Sequence, residues 1–271
     1  MRTTRKPAVA GTFYPADVGL LLRDIQGYTQ PETPKTSCIA CVVPHAGYMY
    51  SGHVAGAVYS HIQLPNRLLL LGPNHTGLGQ PLAIFSSGAW LTPLGEAHID
   101  EHLARELMLH FPLLQEDIDA HRKEHCLEVQ IPFLQALRGD FSFVPVVIGT
   151  GQVDVLIGLG ERLGEVLQAD NAGVLILSSS DMNHYEPDSI TRAKDAKAIE
   201  KILALDALGL HEVVERENIS MCGFAPTVAM IAAARRLGAT RAELLKYATS
   251  ADVSGDREYC VGYAGIVVTR Q

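Results

Sequence analysis

Apolar runs and amphipathic segments alternate along most of the chain. Consecutive apolar, often β-branched residues predict buried strands at 38–43, 67–71, 82–86, 141–148, 173–177, 244–249 and 261–269. Helical periodicity predicts helices at 17–27, 52–62, 100–110, 126–137, 153–167, 188–205, 208–215 and 225–237. Residues 90–99 and 116–124 carry neither pattern and are expected to be irregular. The alternation predicts an α/β fold, one domain over residues 1–271 with a central, mostly parallel or mixed sheet flanked by helices.

Three of the apolar runs are followed within a few residues by a histidine. Strand 38–43 leads into PHAGY with His45, strand 67–71 into GPNH with His75, and strand 173–177 into SSSDMNHY with Asp181 and His184. In open α/β sheets, ligands bind just outside the carboxyl ends of the strands. If the three strands are parallel neighbours, His45, His75 and His184 converge on one cleft.

This convergence predicts a metal site. A single histidine after a strand is more often a hydrogen-bonded loop residue, but three such sites with glycine or asparagine nearby favour imidazole ligands on rigid strand ends. His125 and Glu128, three residues apart on one helix face, could contact a substrate or orient the ligands, or could be a solvated helix start. Cys222 precedes an apolar helix and is either a small buried residue or a thiolate that the helix N-terminus favours.

Other motifs have simpler structural explanations. Cys38 and Cys41 form a C-x-x-C, but strand positions three apart face opposite sides, so buried cysteines explain them better than a redox pair or half a zinc site. Gly158, Gly160 and Gly164 lack the spacing of a dinucleotide loop and lie within a helical pattern. The serines of SSSDMNHY lack a nucleophile elbow, and small residues at a strand end are an adequate explanation.

Composition and charge restrict the classes of partner that the chain is expected to bind and its expected location. The 271 residues carry 30 acidic and 22 basic side chains, a net charge of -8, which argues against nucleic acid or an anionic membrane as the main partner. We find neither a signal peptide nor an apolar stretch long enough to span a bilayer, so the cytoplasm is the expected location. The five cysteines, an odd number, indicate free thiols or metal ligands and not a disulfide framework.

Four motifs together resemble a known family. PHAGY with Tyr50 and Gly52 after it, LGPNH, SSSDMNHY and MCGFAP are similar to motifs of the Memo family, whose prokaryotic members are called AmmeMemoRadiSam system protein B. The similarity extends from AGTFY at residues 10–14 to VGYA at residues 261–264. The family is similar in fold to class III extradiol ring-cleaving dioxygenases, which use non-haem Fe(II). The resemblance therefore implies an extradiol-dioxygenase-like fold.

The resemblance also implies a mononuclear metal centre. Its ligands would be His45, His75 and Cys222, with His184 as the acid/base residue and Asp181 completing the pocket. The dioxygenase relatives have a carboxylate where this chain has Cys222, and a thiolate changes the potential of iron and favours softer metals. The resemblance to the Fe(II) dioxygenases makes iron the first expectation, and the thiolate makes copper or zinc the alternatives. The stretch EHCLE at residues 124–128 matches a family segment near the pocket.

These residues are compatible with three functions. The expected one is a non-haem metal-dependent oxidoreductase with redox or dioxygenase-like chemistry on an unknown small-molecule substrate. The alternative is a non-catalytic metal-binding or protein-interaction module. A hydrolase with two metals is less favoured, because Asp181 is the only obvious carboxylate to bridge them. The family label also suggests a pathway link to a radical-SAM protein and an AMMECR1-type protein.

Overall fold

The structure, a computed structural model, describes residues 3–170 and 173–270. The predicted domain also includes residues 1–2, 171–172 and 271, which lie outside the described residues. Within the described ranges, twelve strands belong to one mixed sheet. Their bounds are β1 Thr4–Arg5, β2 Ala40–Val43, β3 Arg67–Pro73, β4 Leu82–Ile84, β5 Ala89–Thr92, β6 Gly95–Ile99, β7 Gln115–Glu116, β8 Ser142–Ile148, β9 Leu175–Ser179, β10 His184–Glu186, β11 Arg241–Thr249 and β12 Cys260–Thr269.

The helices cover both faces of this sheet. Their bounds are α1 Val18–Tyr28, α2 Tyr48–His61, α3 Glu101–His110, α4 Ile118–Arg122, α5 Ile131–Arg138, α6 Val153–Asp170, α7 Asp188–Leu203, α8 Ala207–Arg216, α9 Phe224–Arg236 and α10 Ala251–Ser254, with a 3-10 turn at Glu128–Gln130. Each face has its own apolar layer: Leu69 and Leu71 of β3 pack into one, and Leu68 and Leu70 into the other. Burial on both faces explains why the central strands are continuous apolar runs.

Four parallel strands form the centre of the sheet, in the order β8-β3-β9-β2. β12 is antiparallel to β2, and β10 and β11 are antiparallel to β12. The register places Leu71 opposite Ser178 and Val43 opposite Ser179, so the carboxyl ends of β2, β3 and β9 are level. The loops that follow these strands therefore leave the same edge of the sheet. The predicted α/β class with a mixed sheet is confirmed.

Two regions expected to be irregular are ordered. Residues 89–99 form the β5–β6 hairpin, which turns at Gly95 with φ +112° and buries Trp90 against the sheet. Within 116–124, α4 forms because Asp117 caps it: its carboxylate accepts hydrogen bonds from the backbone N–H groups of Asp119 and Ala120. The hairpin depends on strand pairing and α4 on a cap. Neither kind of contact is visible in the hydrophobic pattern of a short segment.

Two smaller expectations are also resolved. Pro132 lies in the first turn of α5, so the segment predicted from residue 126 starts late as a helix, at Ile131. Strand β2 begins at Ala40, so Cys38 precedes it and only Cys41 lies within it. Cys41 is buried, and this burial raises the pKa of its thiol well above the usual range, as expected for an inert core cysteine. Among the described residues, no helix is long and apolar enough to cross a bilayer.

The glycines of α6 allow close packing against α9. A β-carbon at Gly160 would collide with the carbonyl oxygen of Ala229, and one at Gly164 would lie 2.7 Å from Cβ of Arg236. A β-carbon at Gly158 would meet nothing within 4 Å. Gly160 and Gly164 therefore serve helix packing, in agreement with the rejection of a dinucleotide loop.

We predict different effects on stability for two alanine substitutions at neighbouring glycines of α6. Gly160→Ala should lower the free energy of unfolding by about 1–3 kcal/mol, because a backbone oxygen must move. Gly158→Ala, the matched control, should leave it unchanged or raise it by about 0.5–1 kcal/mol through helix propensity. Urea unfolding of the wild type and both variants measures these changes in the free energy of unfolding. Equal effects of the two would contradict the packing role of Gly160.

Candidate metal centre

The loops at the common sheet edge surround one cavity of about 580 Å³. The structure brings together six of the seven site residues named from the sequence around it. They are His45, His75, His125, Asp181, His184 and Cys222. The shared edge of β2, β3 and β9 thus places residues far apart in the chain in one place.

His45 is held by a hydroxyl group on the neighbouring strand. Ser179 Oγ donates to the carbonyl of Cys126 at 2.6 Å, so it accepts from His45 Nδ1 at 3.0 Å. The proton of a neutral His45 therefore lies on Nδ1, and Nε2 presents a lone pair. Burial, with the nearby His125 and His75, holds the pKa of His45 well below its usual range. His45 is a neutral nitrogen donor.

His75 is oriented by the buried carboxylate of Glu124. Glu124 Oε1 accepts from His75 Nδ1 at 2.9 Å and Oε2 from the backbone N–H of His75 at 2.6 Å. Oε1 also accepts from the N–H groups of His125 and Cys126. A carboxylate only accepts hydrogen bonds, so Nδ1 of His75 is the hydrogen-bond donor. Nε2 is then the nitrogen that can bind a metal ion. Burial opposes ionisation, but the hydrogen bonds from His75 and Cys126 outweigh it and hold the pKa of Glu124 below its usual range.

Three imidazole rings face one another in the cavity. The ring centroids lie 5.2 Å apart for His45 and His75, 5.4 Å for His45 and His125, and 4.6 Å for His75 and His125. One ligand atom from each ring lies within 4.8 Å of the others. Burial also lowers the pKa of His125. Closely spaced imidazoles with outer hydrogen bonds are a ligand set that zinc, copper and iron accept, so these residues fit a transition-metal ion.

Cys222 approaches the same centre from the start of α9. Its Sγ lies 3.2 Å from His45 Nε2. Burial first, and the charge of Asp181 second, raise the pKa of the Cys222 thiol well above its usual range. The expected thiolate at a helix N-terminus is therefore not favoured by the protein alone. Among the described residues, the groups of three donors in mutual reach do not include Cys222, so His125 enters as a second candidate for the third ligand.

His184 and Asp181 occupy different positions in the cavity wall. His184 Nδ1 donates to the carbonyl of Ser220 at 2.8 Å, which leaves Nε2 with a lone pair. Asp181 Oδ1 accepts from the backbone N–H groups of His45 and Ala46, at 2.8 and 3.3 Å. Asp181 therefore fixes the PHAGY loop, whereas His184 has a free nitrogen for proton transfer.

Glu128 does not line the cavity, unlike its predicted partner His125. It is buried and forms an ion pair with Arg5 at 2.8 Å. Its carboxylate also accepts from Tyr14 Oη and from two backbone N–H groups at residues 8 and 9. Glu128 thus anchors the N-terminal segment, from which Phe13 reaches the cavity with its ring 4.7 Å from that of His125.

The three serines at the end of β9 do more than fill space, which corrects the interpretation from the sequence. Ser178 Oγ is hydrogen-bonded to Thr227 of α9, Ser179 Oγ accepts from His45, and Ser180 Oγ accepts from the N–H of Gly223. These bonds attach α9, which follows Cys222, to the strand that precedes Asp181. Their partners lie tens of residues away, so the sequence alone gave no signal for these roles.

Comparison with known proteins points to one family. Residues 5–267 match the sequence model of the family described as "Memo-like protein". The chain belongs to this family. A MEMO1 family protein of Methanopyrus kandleri is 44% identical over 280 residues, which cover 98% of this chain and 99% of the relative. One of Aquifex aeolicus is 43% identical over 267 residues, which cover 97% of this chain and 98% of the relative. The recognised family is confirmed.

A solved structure shares the fold of this Memo-like chain. An uncharacterized protein from Escherichia coli K12 superposes with a TM-score of 0.54 and 11% sequence identity. The match covers 82% of this chain and 98% of that chain. At this identity the likeness concerns the fold alone, and it supports the α/β class.

We predict that Glu124→Gln destabilises the protein. The amide replaces a charged acceptor of several hydrogen bonds with a neutral group that has only one acceptor oxygen, so the free energy of unfolding should fall by about 1–3 kcal/mol. Glu116→Gln is the control, because the exposed Glu116 carboxylate accepts from one backbone N–H only. Chemical denaturation compares the two. An equal, small loss in both would contradict the role given to Glu124.

Asp195 supports the segment that carries His184. Its carboxylate, fully buried, accepts from the backbone N–H of Asn183 at 2.8 Å and from Tyr247 Oη at 2.7 Å. Burial raises the pKa of Asp195 to about 7. A carboxyl group of the unfolded chain titrates near about 3.9. The stability that this group contributes is therefore fully present below about pH 4 and is lost as pH rises through about 7.

We predict that Asp195→Asn removes this pH dependence. The free energy of unfolding of the wild type, relative to that of the variant, should fall by about 1.4 kcal/mol per pH unit between about pH 4 and pH 7 and then become constant. Urea unfolding across this pH range measures the difference. A difference in stability that stays constant with pH would show that the pKa of the buried Asp195 carboxyl is not raised.

Proposed function

We propose that the cavity binds one transition-metal ion through His45, His75 and Cys222. The observation that carries this proposal is the pair of fixed imidazoles: because Nδ1 of each ring is held by a protein oxygen, Nε2 of His45 and of His75 is the nitrogen that can bind a metal ion. Two ligand atoms that bind the same metal ion lie about 3.5 Å apart. The Cys222 sulfur, 3.2 Å from His45 Nε2, has this spacing. His125, stacked on His75, then faces the bound substrate.

The donor set favours one metal ion over two. A second group of donors, His75, Glu124 and Cys126, shares His75 with the first. Glu124 already accepts four N–H donors, and Cys126 Sγ donates to the Pro73 carbonyl. This arrangement leaves no carboxylate that bridges two ions among the described residues. Imidazole and thiolate suit iron, copper and zinc, and we rank iron first.

We infer redox or dioxygenase-like chemistry on a small molecule as the activity. An ion of this kind, bound by these residues, would supply Lewis-acid and redox chemistry. His184 is placed to accept a proton at Nε2, because its Nδ1–H is held by the Ser220 carbonyl. Phe13, Val261 and Tyr263 form an apolar part of the cavity wall, against which an apolar part of the substrate would pack.

A non-catalytic role is the second candidate. Tyr185 at the rim of the cavity is 73% exposed and has a φ of +60°, a strained backbone conformation for a tyrosine. An exposed aromatic side chain held in this way could contact a partner protein beside the metal. This reading supports a metal-binding or protein-interaction module. The link to a radical-SAM and an AMMECR1-type protein, and the cytoplasmic location, stay predictions.

We predict that His45→Ala and His75→Ala each abolish stoichiometric metal. Protein purified without oxygen and without a chelating tag should hold about one ion per chain, and each variant should lose it because one fixed donor is gone. Metal analysis and circular dichroism on the same samples measure content and folding. His110→Ala is the matched control, since this exposed histidine is remote from the cavity in the sequence and its Nδ1 is hydrogen-bonded to the Glu106 carbonyl of its own helix. Retained metal in both site variants would contradict the assignment.

A second pair of variants identifies the third ligand. Cys222→Ser should weaken thiophilic metals such as Cu(I) and Zn by tenfold or more, while His125→Ala should change metal affinity by less, because we place His125 against the substrate. Competition with a chromophoric chelator measures both. The reverse order of losses would make His125 the ligand and Cys222 a packing residue.

A further inference from the structure

We infer that the opposite edge of the sheet carries a second binding site, for a small organic molecule with a phosphate or carboxylate head. A cavity of about 880 Å³ lies there. Its wall includes the residues that precede β2, β3 and β9, the strands whose other ends carry the histidines. This site is therefore separate from the metal centre and does not depend on the proposed function.

The charge of this cavity differs from that of the whole chain. The chain has a net charge of -8, yet the cavity wall contains two arginines, Arg138 and Arg270, and no acidic residue among those described. The polar remainder is largely amide: Gln63, Asn66 and Gln168. Guanidinium groups bind phosphate and carboxylate through paired hydrogen bonds, and amides add neutral ones.

Arg138 gives the more specific observation. Its Nε atom is buried and has no hydrogen-bond partner, and its guanidinium forms no ion pair, within the described part of the chain. The Nη atoms of the same guanidinium are not buried and have no partner among the described residues, so they are the donors that an acceptor in the cavity can reach. A ligand with an anionic oxygen supplies such an acceptor.

The ordinary explanation for these arginines is helix capping. Basic side chains near a helix C-terminus interact with its terminal carbonyl groups and its dipole, and Arg138 is the last residue of α5. Arg270 behaves in this way, since its Nε and Nη2 donate to the Leu237 carbonyl at the end of α9. Arg138 forms no such bond with the described residues. Capping therefore explains Arg270 but leaves the Nε of Arg138 unpaired.

The rest of the cavity indicates the body of the ligand. Leu64, Leu167 and Leu237 supply apolar surface next to the polar groups. The volume of about 880 Å³ is within the range of cavities that hold cofactor-sized molecules. Mixed apolar and cationic surface fits an organic anion better than an inorganic ion.

The test uses small probes with either head group. Calorimetric titration of the wild-type protein with phenyl phosphate and with benzoate, at constant ionic strength, should show saturable binding of at least one of them. The neutral analogue benzamide should not bind. Phosphate and carboxylate heads are distinguished by which probe binds more tightly. No saturable binding of either anion would overturn the inference.

Variants locate the binding. Arg138→Gln should lower the affinity for the bound probe by about tenfold or more, and the exposed Arg270→Gln by severalfold. Arg23→Gln, an exposed arginine on α1, and His75→Ala should leave the affinity unchanged. Hydrogen exchange should slow at residues 36–39 and 63–66. Unchanged affinity in both Arg138→Gln and Arg270→Gln, or binding lost in His75→Ala, would overturn the inference.

Discussion

The buried carboxylate of Glu124 receives four N–H donors, and the geometry of the candidate metal centre depends on this interaction. Two donors come from His75, one from the backbone of His125 and one from that of Cys126. The carboxylate therefore fixes one imidazole by its side chain and the next by its backbone. Arg5 adds a further constraint, because its Nη2 donates to the Glu124 carbonyl at 2.6 Å while its Nη1 pairs with Glu128. The N-terminal segment, the EHCLE segment and the β3 loop are thus one connected unit.

The parallel register makes this unit meet the other side of the cavity. Level strand ends place the PHAGY loop beside the segment after β9, where Ser179 orients His45 and Asp181 holds its backbone. Ser180 then attaches the start of α9, and with it Cys222. Hydrogen bonds to the end of β9 hold His45 and the segment of Cys222, and a hydrogen bond to Glu124 holds His75. This rigidity is what a metal site needs, because imidazole geometry must be fixed before the ion arrives.

The positions of the histidines could be predicted from the sequence, but their hydrogen-bond partners could not. Apolar runs that end in His45, His75 and His184 indicate a shared sheet edge, because parallel strands place their carboxyl ends together. The bond from His45 to Ser179 joins residues 134 positions apart, and no local pattern encodes it. Glu128 looks like a pocket residue by helical spacing, yet its carboxylate turns toward Arg5. The hydrophobic pattern does not indicate the β5–β6 hairpin, because pairing with β1 and β8 stabilises its short strands.

X-ray absorption spectroscopy of the protein loaded with one equivalent of zinc tests the central claim most directly, because it reports the ligand atoms themselves. We predict imidazole nitrogens at about 2.0–2.1 Å, with their outer-ring scattering, and one sulfur at about 2.3 Å. A shell without the sulfur would move the third position to His125. A shell of oxygen atoms without imidazole scattering would contradict a metal centre built on His45 and His75.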